Sequence, residues 1–219
     1  MVERRIFVTG GSSGLGKELV LQSLNRNLSS FFHQRTNSAS ELGVEFVYGD
    51  IKDLKTQDAI INFVKEKNIN VFINNAAIYS NKSIKDVTYN EINELISVNL
   101  LSPLFLTKRV LDIFSEQGQG MVYNINSLAG INGSKNESIY CTTKHGLKGL
   151  TESLKYEYKG QKNIRIVNVT LGAFKSKMTI ERDTYPLLGE TCDVANCILD
   201  HICQNYNSIS SDLIITRNS

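Results

Sequence analysis

Short apolar runs alternate with longer amphipathic segments along most of this chain. The short runs have the length of buried strands, which are predicted at residues 6–8, 30–33, 44–48, 71–73, 121–125, 164–169 and 213–216. Strands that alternate with helices are typical of a parallel sheet that is covered by helices on both faces. The pattern therefore predicts an α/β fold with a doubly wound, mostly parallel sheet of seven strands.

The longer segments repeat their apolar residues with helical period. One helix is predicted directly after the first strand, and others at residues 54–67, 90–116, 138–159 and 193–205, with an irregularity near Pro103. Residues 25–42 follow neither period, so the helix between the second and third strands is expected to be eroded, and residues 173–191 are predicted to form a loop. Because no internal repeat interrupts the pattern, residues 1–219 are expected to form a single domain.

Charge and cysteine usage exclude several classes of protein. The formal net charge is +2, and basic residues are scattered among acidic ones, unlike a nucleic-acid surface. The apolar runs are too short to cross a bilayer, and the first residues lack a signal-peptide core. Four cysteines and three histidines show no disulfide or metal-site spacing, so no metal is expected. We therefore expect a cytoplasmic protein without nucleic-acid or membrane partners.

A glycine-rich segment joins the first predicted strand to the first predicted helix. Residues 9–16 read Thr-Gly-Gly-Ser-Ser-Gly-Leu-Gly. Glycines let the backbone turn tightly and approach a pyrophosphate, which the free N–H groups and dipole of a helix N-terminus favour. A plain strand-to-helix turn is the alternative when the segment is taken alone. A phosphate site here would use Gly10, Ser12, Ser13, Gly14, Leu15 and Gly16.

The end of the second predicted strand bears on the choice of cofactor. An acidic side chain there would accept from a ribose 2′-hydroxyl, whereas a basic one would pair with a 2′-phosphate. The sequence has no carboxylate in His33-Gln34-Arg35-Thr36, and the Arg35 guanidinium suits phosphate oxygens. NADP(H) is therefore the preferred cofactor. NAD(H) stays possible, because Arg35 could instead be an ordinary solvated surface residue that does not contact the cofactor.

Tyr140 and Lys144 are four residues apart in a predicted helix, so their side chains share one face. An unperturbed tyrosine has a pKa near 10, too high for proton transfer at neutral pH. An ammonium ~5 Å away at an effective dielectric of ~20 lowers that pKa by about two units. A pair with this spacing also occurs by chance on solvated helices. Ser127 supplies context, because it follows a strand whose carboxyl end borders the cleft of a doubly wound sheet.

Taken together, these motifs resemble the short-chain dehydrogenase/reductase family over nearly the whole chain. The family's Thr-Gly-x-x-x-Gly-x-Gly and Tyr-x-x-x-Lys patterns lie at residues 9–16 and 140–144, and Ser127 precedes Tyr140 by the family's interval of thirteen residues. Residues 74–77, Asn-Asn-Ala-Ala, resemble the family's Asn-Asn-Ala-Gly segment. The resemblance implies a Rossmann fold and a nicotinamide cofactor.

The resemblance also implies a role for each residue of a Ser-Tyr-Lys-Asn proton relay. Tyr140 would be the general acid in carbonyl reduction, and Ser127 would orient the substrate oxygen. Lys144 would assist Tyr140 and bond the nicotinamide ribose, and Asn99 would hold a water that links Lys144 to solvent.

Further cofactor contacts are implied by the same resemblance. Asp50 and Ile51 would lie near the adenine, although Asp50 could also be a plain helix cap, and Ser176 would take the role of a threonine near the nicotinamide. Leu171 replaces the family's usual proline, and Ala77 its usual glycine, so cofactor affinity is expected to be altered. The remaining implied contacts are Asn75, Ala76, Ala77, Gly172, Tyr140 and Lys144.

The sequence therefore favours an NADP-preferring oxidoreductase that interconverts a ketone or aldehyde, including an oxoacyl-type substrate, and its alcohol. A cofactor-binding regulator or redox sensor with little turnover is the alternative. A nucleotide-sugar epimerase or dehydratase normally needs a larger C-terminal substrate region than this chain has. The resemblance also implies a homodimer or homotetramer, with equal weight for both because the family's glycine-containing C-terminal ending is missing.

Overall fold

The computed structural model describes residues 3–36, 42–180, 183–204 and 211–216. Its seven strands form one parallel sheet in the order β3-β2-β1-β4-β5-β6-β7. The predicted doubly wound α/β fold is confirmed, and the strand order reverses between β1 and β4, where such sheets open a ligand crevice. The strands are β1 Arg5–Thr9, β2 Ser29–Gln34, β3 Phe46–Tyr48, β4 Val71–Asn74, β5 Gly120–Ser127, β6 Ile164–Leu171 and β7 Asp212–Ile215.

Six α-helices occupy the described residues and cover both faces of the sheet. The region predicted as one helix at 90–116 is divided by a π-helical turn at Ser97–Leu101. Pro103 itself is well tolerated, because it lies in the first turn of α4, where a missing N–H costs no intrahelical bond. The helices are α1 Gly14–Asn25, α2 Leu54–Glu66, α3 Tyr89–Ile96, α4 Ser102–Gln117, α5 Ser138–Glu157 and α6 Thr191–Cys203.

Three predictions fall partly outside the described residues. In the crossover between β2 and β3, residues 35–36 and 42–45 are not helical, whereas residues 37–41 lie outside the description. The predicted loop at 173–191 contains a short 3-10 turn at Tyr185–Leu187, and residues 181–182 lie outside the description. Residue 205, the predicted end of the last helix, is also not described, and α6 ends at Cys203.

The side chains of β1 show how one strand serves two core layers. Ile6 and Val8 pack in a cluster with α1 and α6, whereas Phe7 points to the other face and packs with α2 and α4. Phe7 stacks on Phe72 of β4 with ring centroids 5.6 Å apart. A strand that is buried on both faces has no polar side for water, which explains its uninterrupted apolar sequence.

Candidate active site

A cavity of about 710 Å³ opens beyond the carboxyl ends of the central strands. Its walls come from the segments after β1, β2, β3, β4, β5 and β6, so residues far apart in the sequence meet there. Two of the predicted site residues, Gly16 and Asn99, do not line it. The predicted residues that do are Gly10, Ser12, Ser13, Gly14, Leu15, Arg35, Asp50, Ile51, Asn75, Ala76, Ala77, Ser127, Tyr140, Lys144, Gly172 and Ser176.

The glycine loop has the shape that a pyrophosphate requires. Gly10 and Gly14 have φ angles of 69° and 53°, in the left-handed region that glycine tolerates. A methyl group on Gly14 would meet no atom within 4 Å, so the loop is open where it begins α1. A methyl group on Gly16 would instead lie 2.2 Å from the Gly10 carbonyl oxygen. Gly16 therefore shapes the loop from behind, and the open N-terminus of α1 fits an anionic group.

The segment after β4 braces this loop. The Asn75 side chain donates to the Thr9 carbonyl oxygen at 2.9 Å, and the Thr9 hydroxyl accepts from the backbone N–H groups of Asn75 and Ala76, each at 3.0 Å. Ala77 is not among the residues with positive φ, so alanine causes no strain where the family usually has glycine.

At the adenine end predicted from the resemblance, Arg35 is the side chain best suited to phosphate. It is exposed, lines the cavity and forms no ion pair within the described part of the chain. His33 is buried, and its Nε2 donates to the Gly49 carbonyl oxygen at 2.9 Å. Burial lowers the pKa of this imidazole, although the Gly49 hydrogen bond and the charge of Asp50 oppose the shift. His33 therefore stays neutral at neutral pH.

Asp50 also lines this end of the cavity, and its carboxylate has partners. It accepts from the Lys52 N–H at 3.0 Å, and the Lys52 ammonium lies 3.4 Å away. The alternative in which Asp50 is a helix cap does not hold, because Asp53 occupies the N-cap position of α2.

Ser127 ends β5 and caps the turn that follows. Its hydroxyl oxygen accepts from the Ala129 N–H at 3.1 Å, which uses one lone pair. The hydroxyl proton has no acceptor among the described residues, so it can be donated to a ligand in the cavity.

Tyr140 and Lys144 lie one turn apart on α5, as their spacing predicts. The Lys144 Nζ is 5.7 Å from the centroid of the Tyr140 ring and donates to the Ile125 carbonyl oxygen at 2.9 Å. Lys144 is only 4% exposed, and burial lowers the pKa of its amine to about 8. The amine is therefore mostly charged at neutral pH, and that charge favours the ionised form of a nearby phenol.

Asn99 lies in the π-helical turn with its side chain 1% exposed. Its Oδ1 accepts from the Ile78 N–H, and its Nδ2 donates to the Ile78 carbonyl oxygen, both at 2.8 Å. The side chain therefore holds the segment after β4, and its role in carrying a water stays a prediction.

Thr179, which sequence reasoning missed, makes hydrogen bonds that hold the segment after β6. The Thr179 hydroxyl donates to the Phe174 carbonyl oxygen at 2.7 Å and accepts from the Ser176 N–H at 3.0 Å. Leu171 is a buried strand residue, and the Gly172 N–H donates to Ile215 of β7 at 2.9 Å. Leu171 is thus an ordinary strand residue, paired with Ile215 of β7.

Two further residues at the substrate end were not predicted. The Tyr79 hydroxyl donates to the Glu137 carboxylate at 2.7 Å, and the Tyr79 ring meets the Tyr140 ring edge-on at 5.2 Å. Both side chains line the cavity. Glu137 lies three residues before Tyr140, and this helical spacing is a signal in the sequence that could have indicated it.

Fold and site together define a class of protein. A doubly wound parallel sheet, a glycine loop at a helix N-terminus and a tyrosine-lysine pair at the crevice are typical of nucleotide-dependent oxidoreductases. The family model described as short chain dehydrogenase matches residues 4–185, and the chain belongs to this family of NAD(P)-dependent oxidoreductases. In the described residues, no helix is long and apolar enough to cross a membrane.

Individual relatives agree with this assignment. Levodione reductase of Leifsonia aquatica is 31% identical over 191 residues, which cover 80% of this chain and 71% of that protein. The NADP-dependent 3-hydroxy acid dehydrogenase of Schizosaccharomyces pombe is 26% identical over 240 residues, which cover 97% and 92%. The solved structure of ElxO with NADP bound has a TM-score of 0.86 at 26% identity and covers 98% of both chains.

Proposed function

We propose that this protein is an NADP-preferring reductase that interconverts a ketone or aldehyde, including oxoacyl-type substrates, and its alcohol. The observation that carries the proposal is the meeting of Ser127, Tyr140 and Lys144 at one end of a cavity whose other end is the glycine loop. A protein that only binds a nucleotide has no need of a proton donor at this place. The regulator alternative therefore lacks a structural observation in its favour.

When bound, the nicotinamide cofactor supplies the hydride that reduces the carbonyl carbon. The Tyr140 hydroxyl gives its proton to the carbonyl oxygen as negative charge develops there. Ser127 donates its free hydroxyl proton to the same oxygen and so fixes the distance to Tyr140. The Lys144 charge, held by Ile125, stabilises the phenolate that remains on Tyr140. In alcohol oxidation the same groups act in reverse.

The preference for NADP rests on Arg35. It is an exposed cation on the cavity wall, whereas the nearby Asp50 carboxylate is already bonded to Lys52. Arginine pairs with phosphate oxygens through two parallel hydrogen bonds, so a 2′-phosphate would be favoured over a 2′-hydroxyl. The names of the fission-yeast relative and of the ElxO structure also include NADP.

We also propose that the protein forms a homo-oligomer. Residues 1–219 would act as one NAD(P)-binding domain, in a homodimer or homotetramer. Exposed apolar side chains at the start of α4, namely Leu101, Leu104 and Phe105, support self-association. Light scattering across a dilution series gives the assembly size.

The function is tested by following NADPH absorbance with a panel of ketones, aldehydes and oxoacyl thioesters. Tyr140→Phe keeps the ring and removes the donor, so turnover of any accepted substrate should fall about a hundredfold to ten-thousandfold. Tyr156→Phe, on the exposed side of the same helix, is the matched control and should behave like the parent. Tight NADPH binding without turnover of any compound would instead identify a regulator.

A further inference from the structure

His33 is a buried histidine in the wall of the cavity. It belongs to β2, its residue is 3% exposed, and it lines the same end of the cavity as Arg35 and Asp50. Its backbone carbonyl oxygen accepts from the Gly11 N–H at 2.9 Å, which ties it to the glycine loop. The end of the cavity proposed for the cofactor phosphates therefore contains a titratable ring that the proton relay does not use.

One nitrogen of this imidazole has a partner and the other has none. Nε2 donates to the Gly49 carbonyl oxygen at 2.9 Å, so the hydrogen of the neutral ring lies on Nε2. Nδ1 is buried and has no hydrogen-bond partner in the described part of the chain. Most buried polar atoms are hydrogen-bonded in folded proteins, so the unpaired Nδ1 on a cavity wall indicates a contact with a ligand.

In the free protein the ring is neutral at neutral pH. Burial lowers the pKa of the His33 imidazole, and the Gly49 hydrogen bond and the charge of Asp50 oppose that shift without cancelling it. Protonation would place a charge out of water and would turn Nδ1 into a donor without an acceptor. The neutral form is therefore favoured as long as no further anion lies beside the ring.

The fixed charges around the ring come from several elements. Arg35, Asp50 and Glu94 line this end of the cavity, and the Lys52 ammonium pairs with both carboxylates. The glycine loop contributes no charged side chain to the wall, and the α2 side chain that packs on Gly49 is the neutral Thr56. Both carboxylates thus share one cation, whereas the Arg35 guanidinium favours an added anion.

A 2′-phosphate would change the protonation of His33. NADPH carries this group and NADH does not. At neutral pH the phosphate brings close to two negative charges and acceptor oxygens, so it favours the protonated ring by its charge and by giving the Nδ1 hydrogen an acceptor. A bound cofactor also displaces water from the cavity, and the lower dielectric strengthens this attraction.

We propose that His33 takes up a proton from solvent when the 2′-phosphate of NADPH binds, and that the preference for NADPH over NADH therefore grows as the pH falls. This inference rests on the proposed NADP preference and adds a second residue to it. Arg35 supplies a charge that is present at every pH, whereas His33 supplies one that depends on the pH and on the phosphate.

Calorimetry of the parent protein counts the protons directly. NADPH is titrated at pH 7 in two buffers, one with a small and one with a large enthalpy of ionisation, and the difference in binding heat gives the proton uptake. NADPH should take up about 0.3 to 1 proton per site, and NADH about none. The phosphate itself has a pKa of about 6 and can only lose a proton beside Arg35, so its own contribution has the opposite sign. Absent uptake with NADPH, or equal uptake with both cofactors, overturns the proposal.

The variant His33→Gln tests the residue itself. Glutamine keeps a side-chain N–H for the Gly49 carbonyl oxygen and cannot be protonated. From pH 8 to pH 6, the affinity of the parent for NADPH relative to NADH should rise about tenfold, because a shift of one pKa unit corresponds to a tenfold change in affinity. In His33→Gln this ratio should stay within about twofold or fall, as the phosphate gains a proton.

The matched control is His145→Gln, at an exposed histidine of α5 that is not part of the cavity wall. Its affinity ratio should follow that of the parent. A rise toward pH 6 that survives in His33→Gln overturns the proposal. If His33→Gln does not fold, the proton uptake of the parent decides.

The same titrations separate this inference from the proposed function. Arg35→Ala should weaken NADPH binding at every pH and keep the proton uptake, because His33 is intact. A preference for NADPH that is constant from pH 8 to pH 6 rejects the role of His33 and leaves the NADP preference in place. Equal affinities for NADPH and NADH at every pH reject both. Neither measurement requires turnover of a carbonyl compound, so the reductase activity is tested independently.

Discussion

The Lys144 ammonium donates a hydrogen bond to the Ile125 carbonyl oxygen across 2.9 Å. Ile125 lies in β5, which ends at Ser127, and Lys144 lies in α5, which carries Tyr140. This bond therefore joins the strand and the helix of the proposed proton relay, together with the Asn126 side chain, which donates to the Lys144 carbonyl oxygen at 3.2 Å. It also holds a positive charge out of water, which disfavours the folded chain wherever the amine is protonated.

Lys144→Met should stabilise the protein while it abolishes activity. Burial lowers the folded-state pKa of the amine to about 8, against 10.5 for the ordinary group. Between these values the unfolded chain binds more protons, so this group makes the parent's stability rise with pH. Below pH ~8 the burial of the protonated amine lowers the free energy of unfolding by up to about 3 kcal/mol. Above pH ~10.5 the amine is neutral in both states, and this destabilisation vanishes.

The measurement is urea unfolding of parent and variant across this pH range. The gain from Lys144→Met should be largest near neutral pH and disappear in strong alkali. Lys159→Met removes an exposed lysine just after the same helix, so its effect on the free energy of unfolding should not depend on pH in this range. A gain that did not change with pH would mean that packing alone explains it.

Arg35→Ala should change the choice of cofactor. Loss of a charged pair with the 2′-phosphate should weaken NADPH binding by about 10- to 100-fold. NADH lacks that phosphate, so its affinity should change by about twofold or less. Fluorescence titration with both cofactors measures this, and Arg109→Ala, which removes a helix arginine paired with Asp58, is the control. Equal affinities of the parent for NADPH and NADH would reject the preference.

Sequence reasoning found those parts of the site whose residues lie close together in the sequence. The glycine loop is contiguous, and Tyr140 and Lys144 face the same way because four residues make about one helical turn. The approximate positions of the seven strands were also predicted, most directly for β1 and β4, which are buried on both faces and contain uninterrupted apolar runs.

What sequence reasoning missed depends on contacts between distant segments. Tyr79 and Glu137 are 58 residues apart, and no local pattern indicates that they bond. The two hydrogen bonds of the Asn99 side chain to the Ile78 backbone likewise join distant segments and were not indicated by any local pattern, whereas the predicted water at Asn99 stays a prediction. The π-helical turn at Ser97–Leu101 was anticipated only as an irregularity near Pro103.

Two glycines of the loop should respond differently to alanine. Gly16→Ala places a methyl group 2.2 Å from the Gly10 carbonyl oxygen and 2.6 Å from the Asn75 side chain, so it should lower the free energy of unfolding by about 1–3 kcal/mol and weaken cofactor binding. Gly14→Ala should cost about 1–2 kcal/mol from its positive φ and block the open side of the loop.

Urea unfolding and NADPH titration of both variants separate these effects. Gly149→Ala, in the middle of α5 with open space around it, is the control and should stabilise the protein by about 0.5–1 kcal/mol. Normal NADPH affinity in Gly14→Ala would show that the phosphates do not approach the start of α1.

Asn99→Ala should destabilise the protein before it affects proton transfer. It removes both hydrogen bonds to the Ile78 backbone, which should lower the free energy of unfolding by about 2–3 kcal/mol. Asn99→Asp keeps the acceptor for the Ile78 N–H but places a carboxylate oxygen against the Ile78 carbonyl oxygen. It should therefore lower the free energy of unfolding more than Asn99→Ala does. Asn93→Ala, at an exposed position of α3, should change little.

The pH profile of kcat decides which role dominates at Asn99. If the side chain mainly positions the segment that carries Tyr79, Asn99→Ala should lower kcat at every pH by a similar factor and shift the urea midpoint. If it mainly holds a water for Lys144, the midpoint should stay at the parent value while the basic limb of the profile moves. Because Ile78 already occupies both polar atoms of the amide, we expect the first result.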